Sequence, residues 1–366
     1  MKILLDSYIN NNLGDDLMIY IICRRYPNHS FYLPTPPNCR DMFANIPNLT
    51  CIAPLYPLES EYIKRGINKA LSYLNIPKLQ LLYKITKEEY DIYIQLGGSI
   101  FMQVSETAWR NKLRDYNYIV SKTPHNLIIG SSFGPFYTQE FLNEHKLLFE
   151  KFDDVIFRDT YSNNLFNNEF NYGVDSVFNL EFPHKKRENY IVFSLIDLEH
   201  RPSLSKYKDK YIQIINNLSC ELAKCGFRIV FFSFCENEGD LKAIEQVIKN
   251  SSLSTEQYNI YNHKNIKKSL DIIANSNGVV ATRFHSIILS FLFNKPCLPF
   301  IYHEKTTHEL EDLEFRGYKV KFNELDRFDI FESMNTFTSE PKFNREKLKT
   351  ASKHFEWLDA YLERKI

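Results

Sequence analysis

The chain has 366 residues, 44% of them apolar, with 45 basic and 45 acidic side chains. That length suits two domains with a core each. Zero net charge, with no basic face interleaved with aromatics, speaks against a nucleic-acid partner. Seven cysteines are an odd number with no paired spacing, which fits reduced thiols better than a disulfide framework.

In the first half, short apolar strands alternate with helical patterns. Ile3-Leu4-Leu5 reads as a strand and meets Asp6 at once, unlike a signal peptide. Leu17 to Arg25 reads as the following helix. Phe31-Tyr32-Leu33 is a second strand, stopped by Pro34, Pro36 and Pro37. Asp91 to Leu96 is a strong strand ending in Gly97-Gly98. Asn126 to Gly130 is another, followed by a turn through Gly134-Pro135. Val155-Ile156-Phe157 ends in Arg158-Asp159. Strands separated by helices predict a parallel, doubly wound sheet over residues 1–181.

A polar segment, 182–189, with His184-Lys185-Lys186-Arg187, reads as a linker whose basic cluster is mostly a solvated face. The alternation then restarts over 190–342. Tyr190 to Leu195, Phe227 to Phe234, Tyr258 to Tyr261, Gly278 to Ala281 and Cys297 to Ile301 are strands. Tyr207 to Cys225 is a helix stopped by Gly226. The tail, 343–366, is helical in pattern and is expected to pack back on the first domain. The expected fold class is α/β: two Rossmann-like domains facing across a cleft. The longest apolar run, Ile287 to Phe293, is too short to span a bilayer. A cytoplasmic protein is expected, with a peripheral contact at the inner membrane face left open.

Ligands of open α/β sheets sit beyond the carboxyl ends of the strands. Ala281-Thr282-Arg283-Phe284-His285-Ser286 falls there, with a helix expected from Ser286. Arg283 can fork onto an anion, the helix N-terminus favours one, and His285 can carry a proton near neutral pH. Lys305, after the next strand, adds a second cation. Arg158 is expected on the same cleft from the other side, with Asp159 able to cap the helix that starts there. Asn12, Gly14 and Asp15 lie between the first strand and helix; Asp15 either caps that helix or meets a sugar hydroxyl. Gly97, Gly98 and Gly134 add turns on that rim. Asp175 is a helix cap or a general base. His303 and His308 imitate H-E-x-x-H, but a five-residue step turns roughly 140° around a helix, so no metal site is expected.

Together these pieces resemble the polysaccharide pyruvyl transferase family. The matches are Asn12-x-Gly14-Asp15, Leu96-Gly97-Gly98, Gly130-x-x-x-Gly134-Pro135-Phe136, Arg158-Asp159-x-x-Ser162, Asp175-x-x-Phe178, Arg283-x-His285 and Tyr302-x-x-Lys305. Ser99 stands where a third Gly often follows the pair at 97–98. The resemblance implies a glycosyltransferase-B-like enzyme that moves a pyruvyl group from phosphoenolpyruvate onto a sugar of a cell-surface polysaccharide or its lipid-linked precursor. The product is a cyclic ketal, with phosphate released. It implies phosphoenolpyruvate on Arg158 and Arg283, helped by Ser286; Lys305 joins them by its place after the next strand, and the mechanism expected from these residues has His285 as acid and Asp175 or Asp15 as base. The acceptor falls to Asn12, Gly14, Gly97, Gly98 and Gly134. No cofactor is expected beyond the phosphoenolpyruvate co-substrate. The alternative is a glycosyltransferase of the same fold using a nucleotide-sugar donor.

Overall fold

The computed structural model describes residues 1–53, 89–183, 187–199 and 201–363. His184, Lys185 and Lys186 of the basic cluster therefore lie outside the described residues.

The first sheet has seven parallel strands. In chain order they are β1 (Lys2–Asp6), β2 (Ser30–Pro34), β3 (Leu49–Ile52), β4 (Ile92–Phe101), β5 (His125–Phe133), β6 (Asp154–Phe157) and β7 (Asn171–Tyr172). Their spatial order is 3-2-1-4-5-6-7. The second sheet comprises β8 (Tyr190–Ser194), β9 (Arg228–Ser233), β10 (Tyr258–Asn262), β11 (Gly278–Ala281), β12 (Cys297–Ile301) and β13 (Val320–Lys321), in the order 10-9-8-11-12-13. Each order reverses direction beside its first strand, which opens a crevice at the carboxyl edge.

The helices that matter to the cleft begin at those edges. They are α1 (Leu13–Arg25), α2 (Glu106–Val120), α3 (Gln139–Phe149) and the short α4 (Thr160–Asn164) of the first domain. The second supplies α5 (Lys208–Lys224), α6 (Asp240–Lys249), α7 (Ile266–Asn275), α8 (Phe284–Leu292), α9 (Glu304–Asp312) and α10 (Ile330–Thr336), and α11 (Lys353–Glu363) follows. The last lies on the first domain. Asp359 accepts from Arg25 and from the Tyr26 hydroxyl, at 2.7 Å for the latter, and the His125 ring packs on Tyr361 at 4.5 Å.

Two strands run past their expected ends. β4 continues through Gly97-Gly98 and β5 through Gly130, each with a register shift there, so these glycines kink strands rather than end them. Gly97 has φ +66° and a side chain on it would strike the Met18 sulfur at 2.2 Å, so the α1–β4 contact requires glycine. α8 also starts earlier than expected. Phe284 is its first residue and Arg283 precedes it, which puts His285 in the first turn.

One apolar core runs through both domains. It joins Leu13, Leu17 and Val177 of the first to Phe234, Phe284, Ile287 and Ile288 of the second. The Leu13 amide donates to the Phe234 carbonyl at 3.1 Å across the boundary. A buried polar chain ties the domains a second time: Asp16 Oδ2 lies 3.2 Å from His263 Nε2, whose Nδ1 meets Ser269 Oγ at 2.7 Å. With both faces of each sheet covered, the strands carry near-continuous apolar runs, as in Gly278–Ala281 and Cys297–Ile301.

Candidate active site

A cavity of about 440 Å³ opens between the two carboxyl edges. Asn12, Asp15, Gly98 and Arg158 line it from the first domain; Arg283, His285 and Lys305 line it from the second.

Arg158 follows β6 and is 1% exposed. Its Nε donates to Ser132 Oγ at 2.8 Å, Nη1 to Asp175 Oδ2 at 3.1 Å, and Nη2 to Ser99 Oγ at 3.3 Å. Its guanidinium lies over the Phe284 ring, 4.4 Å from the centroid, so a first-domain cation stacks on the opening residue of α8. Asp159 caps α4, accepting from the Ser162 amide, and also accepts from Ser132 Oγ.

Lys305 projects from the first turn of α9. Its ammonium sits 3.5 Å from Ser99 Oγ and 5.6 Å from the Phe284 centroid. Among the described residues no carboxylate lies within ion-pair distance of it. Burial, with Arg158 nearby, lowers its pKa to about 8. Ser99, the departure from the usual third glycine, thus touches cations from both domains.

His285 is buried and its Nε2 has no hydrogen-bond partner; Asp175 Oδ2 is 3.7 Å away. Burial lowers its pKa to about 4, opposed by Asp175 and reinforced by Arg158 and Lys305. The ring is therefore neutral near pH 7. Asp175 is fully buried. Burial alone would raise its carboxyl, but His285 and Arg158 hold it below the usual range. It also accepts from the Val177 amide at 2.9 Å, so it caps the turn at 176–179. Behind it, His354 of α11 contacts the Val174 carbonyl at 2.8 Å.

Asn12, not Asp15, caps α1, accepting from the Gly14 amide at 3.3 Å. This leaves Asp15, 6% exposed, facing the cavity with no donor within reach among the described residues. Burial, then the charge of Asp16, raises its pKa to about 7. At Gly14 the two domains come close: a Cβ there would lie 1.8 Å from His285 Nδ1.

Five expected residues take other places. Arg283 lines the cavity, but its fork is committed: Nε meets Asp240 at 3.0 Å, Nη2 also meets Asp240, and Nη1 meets Glu238. Ser286 is fully buried and turns back to donate to the Arg283 carbonyl at 2.5 Å. Gly14, Gly97 and Gly134 are absent from the cavity wall, whereas Asn12 and Gly98 are part of it. His303 caps α9 through Nδ1 to the Lys305 amide, and His308 stacks on Tyr161 at 4.2 Å, so the two rings do unrelated work.

Sequence reasoning missed Glu238, Asp240, Phe284 and the apolar wall of Ile100, Met102, Val104 and Trp109. Glu309, which the nucleotide-sugar alternative would offer to a ribose, lies one helical turn beyond Lys305. Both Glu309 oxygens are buried without a partner, and burial, with Asp175 nearby, raises its pKa well above the carboxylate range. An alternation of apolar residues gives no signal for such partners. The spacing Lys305–Glu309–Asp312 on one helix face was the available clue.

The profile of polysaccharide pyruvyl transferases matches residues 12–304, and the chain belongs to that family. A comparison with curated proteins returned no significant match. Among solved structures, the chain is similar to the Methanocaldococcus jannaschii UDP-GlcNAc 2-epimerase bound to UDP-GlcNAc and UDP. The TM-score is 0.56 at 13% identity, covering 98% of this chain and 99% of that one. It is similar to a Rickettsia africae glycosyltransferase (TM-score 0.51, 10% identity, 99% and 98% covered). It is also similar to Anabaena HepE with UDP and glucose (TM-score 0.50, 14% identity, all of both chains covered). At such identities the likeness is one of fold, the glycosyltransferase-B-like pair of Rossmann domains.

Proposed function

We propose that this chain transfers the pyruvyl group of phosphoenolpyruvate to two hydroxyls of a sugar in a cell-surface polysaccharide or its precursor, forming a cyclic ketal. The observation that carries the proposal is the meeting of Arg158, Lys305 and the partnerless His285 ring in one cleft. Phosphoenolpyruvate carries a phosphate and a carboxylate on three carbons. Arg158, with N–H groups to spare, and Lys305 serve those two ends. Arg283 contributes by positioning, because Asp240 and Glu238 already neutralise it.

Charge bookkeeping supports a proton role for His285. Arg158, Arg283 and Lys305 face Asp175, Glu238 and Asp240, and Asp15 adds a carboxyl with a pKa of about 7, so these side chains together carry little excess positive charge. A bound di- or trianion reverses the balance and raises the affinity of His285 for a proton. The imidazolium then protonates the methylene carbon, which becomes the methyl group. C2 gains oxocarbenium character and one hydroxyl attacks it. The C2–O bond to phosphate breaks, and the second hydroxyl closes the ring. The acceptor loses two protons, the methyl group gains one, and the departing phosphate takes the other. Asp15 is the better placed base: it faces the cavity and its pKa of about 7 suits proton acceptance. Asp175 orients His285 while bound to Arg158. Apart from the co-substrate, the proposal invokes no cofactor.

A nucleotide-sugar donor is less well served. Glu309, one candidate for a ribose, is buried off the cavity; Glu238, which does line it, is held by Arg283 and Arg201. Phosphate release from phosphoenolpyruvate, coupled to a mass gain on a sugar acceptor, tests the proposal; nucleotide release from a sugar nucleotide instead would defeat it.

A further inference from the structure

A second cationic cavity, of about 480 Å³, lies where the chain crosses between the domains. Arg187, on the crossing before β8, lines it together with Arg345, on the crossing back toward α11. Lys295, just past the C-terminus of α8, is the third cation, and Phe291, Phe293 and Leu348 supply an apolar floor.

Helix C-termini attract cations in their own right. Here Arg187 meets that need, donating to the Asn294 carbonyl at 3.3 Å and pairing with the exposed Glu340 at 3.5 Å. Lys295 and Arg345 remain in excess: among the described residues neither side chain has an acceptor or a carboxylate in reach. Lys295 is only 3% exposed, although its tip lines the cavity. Asn294, with φ +52°, turns the chain so that the stem of Lys295 runs inward. Burial and the nearby Arg187 lower the Lys295 pKa to about 8. With its stem buried, the Lys295 ammonium is held at the cavity with a like charge beside it and no counter-ion, an arrangement that a bound anion would relieve.

We infer that this cavity is a second anion site, for a phosphate group held by Lys295, Arg345 and Arg187. An anion there ties both interdomain crossings to the far end of α8, whose first turn carries His285.

The test is calorimetric titration of inorganic phosphate into the full chain. Lys305→Met removes the cleft ammonium and serves as the background, so that product phosphate in the cleft is not counted. The site predicts that this variant still binds about one phosphate. Adding Lys295→Met and Arg345→Met should weaken that binding at least ~10-fold. Methionine keeps the buried stem filled, and a phosphate-dependent rise in melting temperature, present before but absent after the added changes, reports on the site independently of activity. In a parallel arm, sedimentation with phosphatidylglycerol vesicles is compared with phosphatidylcholine vesicles. Loss of phosphatidylglycerol binding in the same variant, without binding of free phosphate by the parent, assigns the site to a lipid headgroup. Equal binding of either probe with and without the two substitutions, or no binding of either, overturns the inference.

Discussion

Gly14 of α1 lies against the His285 ring so closely that a Cβ would sit 1.8 Å from Nδ1. The first domain thereby sets the position of the second domain's imidazole, and the glycine is required by close approach, not by its backbone angle. Gly14→Ala should shift the ring or part the domains. It is expected to lower phosphate release at least ~10-fold and to cost about 1–3 kcal/mol of stability through overpacking. Phosphate assays and denaturant unfolding check both; wild-type values in each would remove the contact from the account.

Asp240 holds Arg283 and also accepts from the Phe234 and Cys235 amides at 3.0 Å each. Asp240→Asn leaves a buried guanidinium short of its counter-charge. A loss of about 3–5 kcal/mol is expected, measured as a lower urea midpoint. A loss under about 1 kcal/mol would mean that Arg283 is not held by this pair.

Glu309 gives a pH signature. Its folded-state pKa lies above the unfolded value of 4.5, so its contribution to stability is present below that pH and is lost as pH rises through the folded pKa. Asp175, Asp159 and Asp312 face it with negative charge, and Arg158 with positive. Glu309→Gln should therefore be more stable than the parent at neutral and alkaline pH, and the gap should close toward pH 4. Melting temperatures across that range check it; parallel curves would refute it.

As the proposed base, Asp15 should set the acidic limb of activity. With a pKa of about 7, it accepts a proton only when ionised, so kcat/KM for the acceptor should fall as pH drops through 7. Asp15→Asn should lose roughly 10²- to 10⁴-fold and the limb with it. Retention of the limb in that variant would assign the base elsewhere.

The fold was legible where physics is periodic. Apolar runs such as Val279-Val280-Ala281 announce buried parallel strands, and the Gly, Pro and Asn-rich breaks between them mark the rims. The edge strands β7 and β13, with two residues each, were too short to give a pattern. Gly97-Gly98 read as a stop because glycine marks turns more often than kinks, yet backbone pairing carries β4 on to Phe101. Arg158 and His285 were expected at the cleft because each follows a strand end, and both line the cavity. The commitment of Arg283 was not found, because Asp240 lies 43 residues away and no local spacing links them. Ser286 was misjudged for a related reason: a start of α8 two residues earlier turns its hydroxyl away from the cleft.

The central claim is that His285 delivers a proton to phosphoenolpyruvate held by Arg158 and Lys305. The most direct measurement incubates wild-type protein and His285→Ala with phosphoenolpyruvate and a panel of lipid-linked and nucleotide-linked sugars. Phosphate release and acceptor mass are both recorded, and donor binding is followed by calorimetry. The account predicts, for the wild type, one phosphate per acceptor and a gain equal to pyruvic acid less water. For His285→Ala it predicts retained donor binding and turnover reduced at least ~100-fold. Near-normal turnover by His285→Ala, or a wild type that turns over a sugar nucleotide while leaving phosphoenolpyruvate intact, would contradict it.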